Sequence, residues 1–308
     1  MLGQKVVEIL SRSSAQLLLT SLEENSVFDE EILPYRHLDL SRRQDVHKLI
    51  DEFEPEYIVN TAAVTDVDLC EKDRSLAWRV NVSSVENLAY AAKLVGAKII
   101  HLSTDYIFDG KNGPYAELDR PNPLSYYGRT KLASENVLFT SGVPSTILRT
   151  MVLYGIGQNV KQNFALWLHK NLKEGKPIRV VDDQFGNPTL VDDLAYAIVR
   201  IIELNRGGLY NVAGADIVSR YDFALALAKL YNFEKKLIAP VKSSIFKQPA
   251  PRPLKSGLII LKAQTELNVN MSGVEQGLKI FQNQLEAYDN NTADEKERSP
   301  KPPIRTPQ

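Results

Sequence analysis

The sequence predicts an α/β fold built on a doubly wound parallel sheet, and two observations predict it. Short apolar runs rich in β-branched residues alternate along the chain with amphipathic segments of helical period. That order is typical of a parallel sheet whose crossover helices cover both faces. The chain has 308 residues, of which 44% are hydrophobic and 24% charged. This length suits one large α/β unit or two closely associated domains.

The elements follow in order from these patterns. The predicted strands are short, β-branched and bounded by polar residues, and they cover residues 16–20, 57–60, 98–103, 145–149 and 178–181. The predicted helices repeat apolar residues every three to four positions and cover residues 4–10, 44–53, 80–95, 127–139, 191–204 and 220–230. Gly96 directly after the third of these helices is a typical helix stop.

The regular alternation becomes looser after about residue 153. We therefore predict a domain of residues 1–152 that contains most of the sheet, and a smaller C-terminal cap of residues 153–286 interleaved with the last sheet strands. Residues 287–308 contain few apolar side chains and are rich in Asn, Pro and charge. Such a segment cannot bury enough surface to offset the entropy of ordering, so we predict a disordered tail.

Charge and cysteine content exclude several classes of function. The formal net charge of −1 argues against a nucleic-acid partner or a polybasic membrane contact. No apolar run is long enough to span a membrane, and no signal peptide is visible. The single cysteine, Cys70, excludes an internal disulfide and suits the cytoplasm. The histidines lack metal-ligand spacing, so we predict no metal site and interpret them as ordinary residues: His37, His47, His101 and His169.

Tyr127 and Lys131 are the first candidates for catalysis. Four residues apart in a predicted helix, they share one face, with their Cβ atoms about 5–6 Å apart. A nearby ammonium favours the phenolate, so we expect Lys131 to lower the pKa of Tyr127 toward the range useful for proton transfer. An isolated pair of this kind is more often a solvated tyrosine beside a chance lysine.

Further polar or small residues follow three predicted strands, where a parallel sheet collects its ligands. Thr104 could hydrogen-bond a substrate carbonyl oxygen, although a strand-end turn explains a lone threonine equally simply. Small residues 61–63 could admit a flat ligand to the backbone, or could only pack a helix tightly. Asp39 and Leu40 could border an adenine ring, and an N-terminal helix cap would account for the aspartate as well.

Three motifs in this order resemble the extended short-chain dehydrogenase/reductases, and most closely their dTDP-4-dehydrorhamnose reductase (RmlD-like) branch. They are STDYIFDG at 103–110, PLSYYGRTKLASE at 123–135 and DQFGNPT at 183–189. The resemblance covers roughly residues 1–285. It implies a Rossmann-like fold, NADPH or NADH as cofactor, and reduction of a 4-keto group on a nucleotide-linked deoxysugar.

The resemblance also implies roles for individual residues. Tyr127 would donate the proton, Lys131 would tune it and hold the nicotinamide ribose, and Thr104 would polarise the carbonyl. Thr104 and Asp105 match sugar-binding positions. The positions that match cofactor contacts are Gly3, Asp39, Leu40, Ala62, Ala63, Val64, Tyr127 and Lys131.

The chain departs from the family pattern at its first residues. Gly3 resembles the third glycine of the family's Gly-x-x-Gly-x-x-Gly loop, and the central strand and the two glycines before it do not appear in the sequence. We expect roughly ten further residues upstream, from usual strand and turn lengths; the alternative is a chain that has lost its cofactor site. As written, the chain should bind a dinucleotide poorly.

Two positions bear on the substrate. Val152 stands where rhamnose reductases tend to carry a tryptophan near the sugar, so a stacking surface is lost. Arg252, between two prolines, could bind a substrate diphosphate or lie on the surface. Thr20 and Ser21, small polar residues at the end of the predicted strand 16–20, slightly favour NADPH. The alternative function is a non-catalytic scaffold, like the β subunit of methionine adenosyltransferase, and family members often form homodimers.

Overall fold

The computed structural model describes the backbone of residues 1–298 and the side chains of residues 1–290. The helices are α1 Leu2–Leu10, α2 Arg43–Phe53, α3 Val67–Lys72, α4 Arg74–Trp78, α5 Ser84–Val95, α6 Tyr126–Ser141, α7 Phe164–Lys173, α8 Val191–Glu203, α9 Arg220–Leu230, α10 Leu261–Leu267 and α11 Val274–Arg298. The strands are β1 Leu19–Ser21, β2 Tyr35–His37, β3 Tyr57–Asn60, β4 Lys98–Thr104, β5 Ser145–Thr150, β6 Leu153–Tyr154, β7 Ile178–Val181, β8 Phe185–Gly186, β9 Thr189–Leu190, β10 Gly208–Asn211, β11 Val218–Ser219 and β12 Ile238–Val241. A π-helical turn, Arg79–Ser83, joins α4 to α5.

The main sheet has four parallel strands in the order β10-β5-β4-β3. Helices α2, α5 and α6 pack on one face, around Val46, Leu88 and Ile99. Helices α1 and α8 pack together on the other face, around Val6 and Ile198. The predicted α/β class and its two covered faces are therefore confirmed, and the matched register of β4 and β5 brings their carboxyl ends to one edge.

The sheet is divided where the sequence predicts an additional strand. Strand β1 pairs only with β2 among the described residues, and β3 pairs only with β4. Between β1 and β3 lies a cavity of about 1260 Å³. Its apolar lining comes from α1, from the segment before β1 and from β3: Val6, Val7, Leu10, Leu17, Leu18, Leu19 and Val59. The upstream strand expected from the sequence stays a prediction.

The C-terminal part contains a second apolar cluster. Tyr154, Phe223 and Phe281 meet edge to face, with ring centroids 5.2 and 6.1 Å from Tyr154. Strand pairs β7–β12 and β8–β11 lie in this part, whereas β10 returns to the main sheet. The predicted domain boundaries at residues 152 and 286 stay predictions.

The last helix differs from the sequence-based expectation. Helix α11 continues to Arg298, so its backbone is helical through the first part of the segment 287–308, for which we predicted disorder. Residues 293–298 are Ala, Asp, Glu, Lys, Glu and Arg, mostly good helix formers. Residues 299–308 lie outside the described residues. No helix of the described chain is long and apolar enough to cross a membrane.

Candidate active site

Strand β4 and helix α6 bring the three predicted catalytic residues together. Thr104 ends β4, Tyr127 lies in the first turn of α6 and Lys131 lies one turn later, and all three are buried. The α6 helix begins at Tyr126 because the Ser125 hydroxyl accepts a hydrogen bond from the Gly128 amide at 3.2 Å. The spacing of the pair therefore places a phenol and an amine against the carboxyl end of β4.

Gly128 allows α6 to approach the turn that follows β4. A Cβ at this position would lie 2.1 Å from the carbonyl oxygen of Tyr106. Any side chain would push the first turn of α6 away from Thr104. The glycine between Tyr127 and Lys131 is thus required by the close contact that forms the site.

Thr104 connects the phenol to a buried carboxyl group. Its hydroxyl accepts a hydrogen bond from the Tyr106 amide at 3.2 Å and donates to Asp105 Oδ1 at 3.1 Å. The Thr104 hydroxyl also lowers the pKa of the Tyr127 phenol. Burial raises the pKa of Asp105 to about 6, although the hydroxyls of Ser256 and Thr104 oppose this change.

The expected direction of the Tyr127 pKa is wrong. Burial raises it above the ordinary value, and the charges of Asp105 and Tyr106 act in the same direction. Lys131 is not among the groups that lower it; the Lys131 amine lies 3.2 Å from Nε2 of His101. The phenol is consequently protonated at neutral pH, as a proton donor must be.

His101 is a site residue that the sequence did not reveal. Its Nε2 lies 3.2 Å from Lys131 Nζ and 3.0 Å from Ser134 Oγ, and its Nδ1 lies 3.2 Å from Asn60 Nδ2. Burial and the Lys131 charge hold the His101 pKa well below its usual range. Burial lowers the pKa of Lys131 to about 8. The neutral imidazole of His101 thus lies between the Lys131 amine and the side chain of Asn60, the last residue of β3.

Asn81, in the π-helical turn, is a second residue that the sequence did not reveal. Its amide nitrogen donates to the Val64 carbonyl and to Thr130 Oγ1, both at 3.1 Å, while its oxygen accepts from the Val64 amide at 2.8 Å. It therefore links the loop after β3 to the catalytic helix. Asn81 is only 1% exposed. The available signal in the sequence was a polar amide on a helical face that is otherwise apolar.

A buried ion pair holds α6 against the sheet. Arg149 on β5 donates to both carboxylate oxygens of Glu135 at 2.9 and 2.7 Å, and Ser103 donates to the same carboxylate at 2.5 Å. Glu135 is 0% and Arg149 3% exposed. Because Ser103 precedes Thr104 and Glu135 follows Lys131 by one turn, this pair determines where both catalytic segments lie.

The predicted cofactor residues lie in the first turn of α1, in the loops after β2 and β3, and on α6. Gly3, in the first turn of α1, would place a Cβ 3.1 Å from Thr61 Oγ1, directly after β3. Ala62 and Ala63 follow in this loop, whose backbone is held by Asn60. Asp39 accepts a hydrogen bond from the Ser41 amide at 2.9 Å and so stabilises a local turn. The remaining predicted contacts, Leu40 and Val64, lie in the loops after β2 and β3.

The predicted substrate residues divide into two groups. Asp105 and Val152 line one narrow cleft beside the catalytic residues. Val152 has φ of 48°, a strained backbone conformation for a β-branched residue. Arg252 instead forms a two-point ion pair with Asp68, at 2.8 Å for each contact. Its assignment to a substrate diphosphate stays a prediction.

Neither Cys70 nor a cluster of metal-ligating side chains adds a functional site among the described residues. Cys70 is buried, its thiol donates to the Val64 carbonyl at 3.5 Å, and burial raises its pKa to about 11, which suits a structural cysteine. Within residues 1–290, no three or more His, Cys, Asp or Glu side chains are placed to hold a metal ion.

One protein family matches most of the chain. The model of the RmlD substrate-binding domain family matches residues 1–287. The chain belongs to this family. A dTDP-4-dehydrorhamnose reductase from Aggregatibacter actinomycetemcomitans is 35% identical to this family member over 282 residues, which cover 88% of this chain and 94% of the relative.

Solved structures of RmlD-type proteins share the fold. A dTDP-4-dehydrorhamnose reductase from Clostridium acetobutylicum matches with a TM-score of 0.80 and 31% identity, over 92% of this chain and 96% of that protein. A dTDP-4-dehydrorhamnose reductase from Bacillus anthracis, solved in complex with NADP, matches with a TM-score of 0.77 and 30% identity, over 86% and 97% of the two chains.

Proposed function

We propose that this protein is an NAD(P)H-dependent reductase that acts on a 4-keto-6-deoxysugar linked to a nucleotide. The observation that carries the proposal is the burial of Thr104, Tyr127 and Lys131 together at the carboxyl end of β4. The family relatives named as dTDP-4-dehydrorhamnose reductases support this substrate class. The alternative of a non-catalytic scaffold gives no reason for a buried phenol beside a buried amine.

We propose that a nicotinamide dinucleotide binds at this edge, although the chain supplies only the third glycine of the expected loop. Helix α1 presents its amino terminus beside the loop after β3. The space next to Gly3 is tight for a side chain, because a Cβ there would lie 3.1 Å from Thr61 Oγ1. Small residues Ala62 and Ala63 continue that surface, and Lys131 and Tyr127 lie further along it. When bound, the dinucleotide supplies the hydride for the carbonyl carbon. The Bacillus anthracis relative supports NADP(H), and the choice between NADPH and NADH remains open in this proposal.

The residues of the chain account for the proton. Thr104 and Tyr127 offer hydroxyl groups to the carbonyl oxygen, and Tyr127 carries its proton at neutral pH, since its pKa lies above the ordinary value. As negative charge develops on the oxygen, Tyr127 O–H transfers its proton and the carbonyl becomes an alcohol. Lys131, with its pKa of about 8, is mostly charged at neutral pH and is the group proposed to hold the nicotinamide ribose.

The test is the loss of reduced nicotinamide absorbance with dTDP-4-keto-6-deoxysugars. Tyr127→Phe is expected to lower kcat by about 10²–10⁴-fold, because it removes the general acid. Tyr126→Phe is the matched control: Tyr126 is the neighbouring tyrosine of the same helix, its ring lies under Arg74, and it should retain wild-type turnover.

The outcomes separate the two functions. Full turnover by Tyr127→Phe would remove this tyrosine from the mechanism. Wild-type protein that binds the nucleotide sugar and reduced cofactor without turnover would favour the scaffold. A cytoplasmic location and a homodimer remain part of the proposal.

A further inference from the structure

Arg220 differs from the other enclosed arginines of the site. It begins helix α9, and its backbone amide donates to the Gln184 carbonyl at 3.1 Å. Its side chain forms no hydrogen bond or salt bridge with any described residue. The contact that holds it is the ring of Phe164, whose centroid lies 4.9 Å from the guanidinium carbon.

The comparison with Arg149 and Arg252 makes the difference clear. Arg149 has both oxygens of Glu135, and Arg252 has both oxygens of Asp68. Asp105 is the carboxylate whose charge raises the pKa of Arg220. The Asp105 oxygens, however, accept hydrogen bonds from Thr104 and Ser256. An arginine stays charged even where burial lowers its pKa. Arg220 therefore presents a cation with unused donors.

Arg220 lies on the cleft beside the catalytic residues. The cleft also includes Asp105 and Tyr106, which directly follow Thr104, and Val152 with its strained backbone. Its enclosed space is only about 20 Å³, so an anion would meet the guanidinium at the mouth of the cleft. A sugar whose carbonyl reaches Thr104 and Tyr127 would direct its anomeric substituent along this cleft.

We propose that Arg220 binds the diphosphate of the nucleotide-sugar substrate and is a specificity-determining residue of the site. This inference rests on the proposed function. A planar guanidinium with free N–H groups matches two oxygens of a phosphate, and one face remains supported by Phe164. Val152 and Arg220 line the same cleft. Arg220 thus supplies the positive charge for the diphosphate, because Arg252 is already paired with Asp68.

Calorimetric binding of dTDP, UDP and thymidine tests the inference without turnover. Arg220→Gln is expected to weaken nucleoside diphosphate binding by about 10- to 100-fold, the usual effect of losing a charge-assisted contact, and to leave thymidine binding within about twofold. Arg220→Lys should recover only part of the affinity. Lysine keeps the positive charge, but it lacks the paired N–H groups of the planar guanidinium.

Arg179→Gln is the matched control, since Arg179 also lies over a phenylalanine ring, Phe246, but is exposed and outside the cleft. It should bind dTDP as wild type does. Thermal unfolding of each variant checks that the chain is folded. In turnover, Arg220→Gln should raise KM for the sugar nucleotide and leave KM for NADPH unchanged.

Equal dTDP affinity in Arg220→Gln and wild type would overturn the inference, as would wild-type protein that binds none of the nucleoside diphosphates. Unchanged dTDP affinity together with weaker binding of a nucleotide-linked uronic acid would assign Arg220 to a sugar carboxylate and overturn the diphosphate assignment. Arg220-dependent dTDP binding by a wild-type protein that turns over no keto sugar would support the inference and refute the proposed reductase.

Discussion

Replacing Glu135 by Gln should be among the most damaging single changes in this protein. The carboxylate is fully buried and holds Arg149 through two hydrogen bonds and Ser103 through a third. The amide of the variant leaves the buried guanidinium without a counter-charge. Breaking a buried pair from one side costs about 3–5 kcal/mol. The free energy of unfolding should fall by that amount, and activity should fall with it because Ser103 and Lys131 adjoin the pair.

Urea unfolding followed by both fluorescence and circular dichroism gives the measurement, with coincident curves checking two-state behaviour. The double variant Glu135→Leu with Arg149→Met removes both charges. It should lie within roughly 1–2 kcal/mol of wild type, because only the Ser103 hydroxyl and the Glu117 carbonyl lose partners. The single change should thus be more damaging than the double change.

Glu52→Gln is the control for a surface pair. Glu52 lies 3.9 Å from Lys48, and the two side chains are 60% and 77% exposed, so their pairing contributes at most about 1 kcal/mol. A Glu135→Gln variant that loses no more stability than Glu52→Gln would refute the role assigned to the buried pair.

Two further predictions concern pH. Asp105→Asn should stabilise the protein at pH 8, because burial raises the Asp105 pKa from 3.8 to about 6, and at about 1.4 kcal/mol per pKa unit the ionised carboxyl costs roughly 3 kcal/mol. The folded state binds the extra proton between pH 4 and 6, so this cost disappears on acidification and the two proteins should converge near pH 4; no gain at pH 8 in urea unfolding would contradict this. His101→Gln should remove the opposite dependence. The folded pKa of His101 lies well below 6.5, so wild type loses up to about 1.4 kcal/mol per pH unit below 6.5 while the unfolded state takes up a proton. Equal slopes for variant and wild type would argue that His101 titrates normally.

Much of the fold was predictable because its signals are local. The run at 57–60 and the helix at 220–230 are reproduced residue for residue, since β-branched composition and helical period act within a few residues. Strand β1 begins three residues later than predicted because its pairing with β2 determines its limits. The pairs β6–β9 and β8–β11 have two residues per strand, too few for any period to be visible.

The site was predictable only where spacing along the chain carries the chemistry. Tyr127 and Lys131 share a helix, and Thr104 ends a recognisable strand. His101, Asn81 and Arg220 were not predicted as site residues, because the groups that they contact lie 17 or more positions away in the sequence. Nothing local distinguishes a histidine that faces Lys131 from one that fills a core.

The sequence alone therefore determined the α/β class, the order of its elements and the residue types placed at the carboxyl edge of the sheet. These follow from periodicity, helix capping and glycine placement, which depend on neighbours in the chain. The tertiary structure decided the protonation of those residues and their partners. The pKa of Tyr127 rises where helical spacing predicted a fall, because burial depends on segments far apart in sequence. The same long-range packing leaves Arg252 paired and Arg220 free among the described residues.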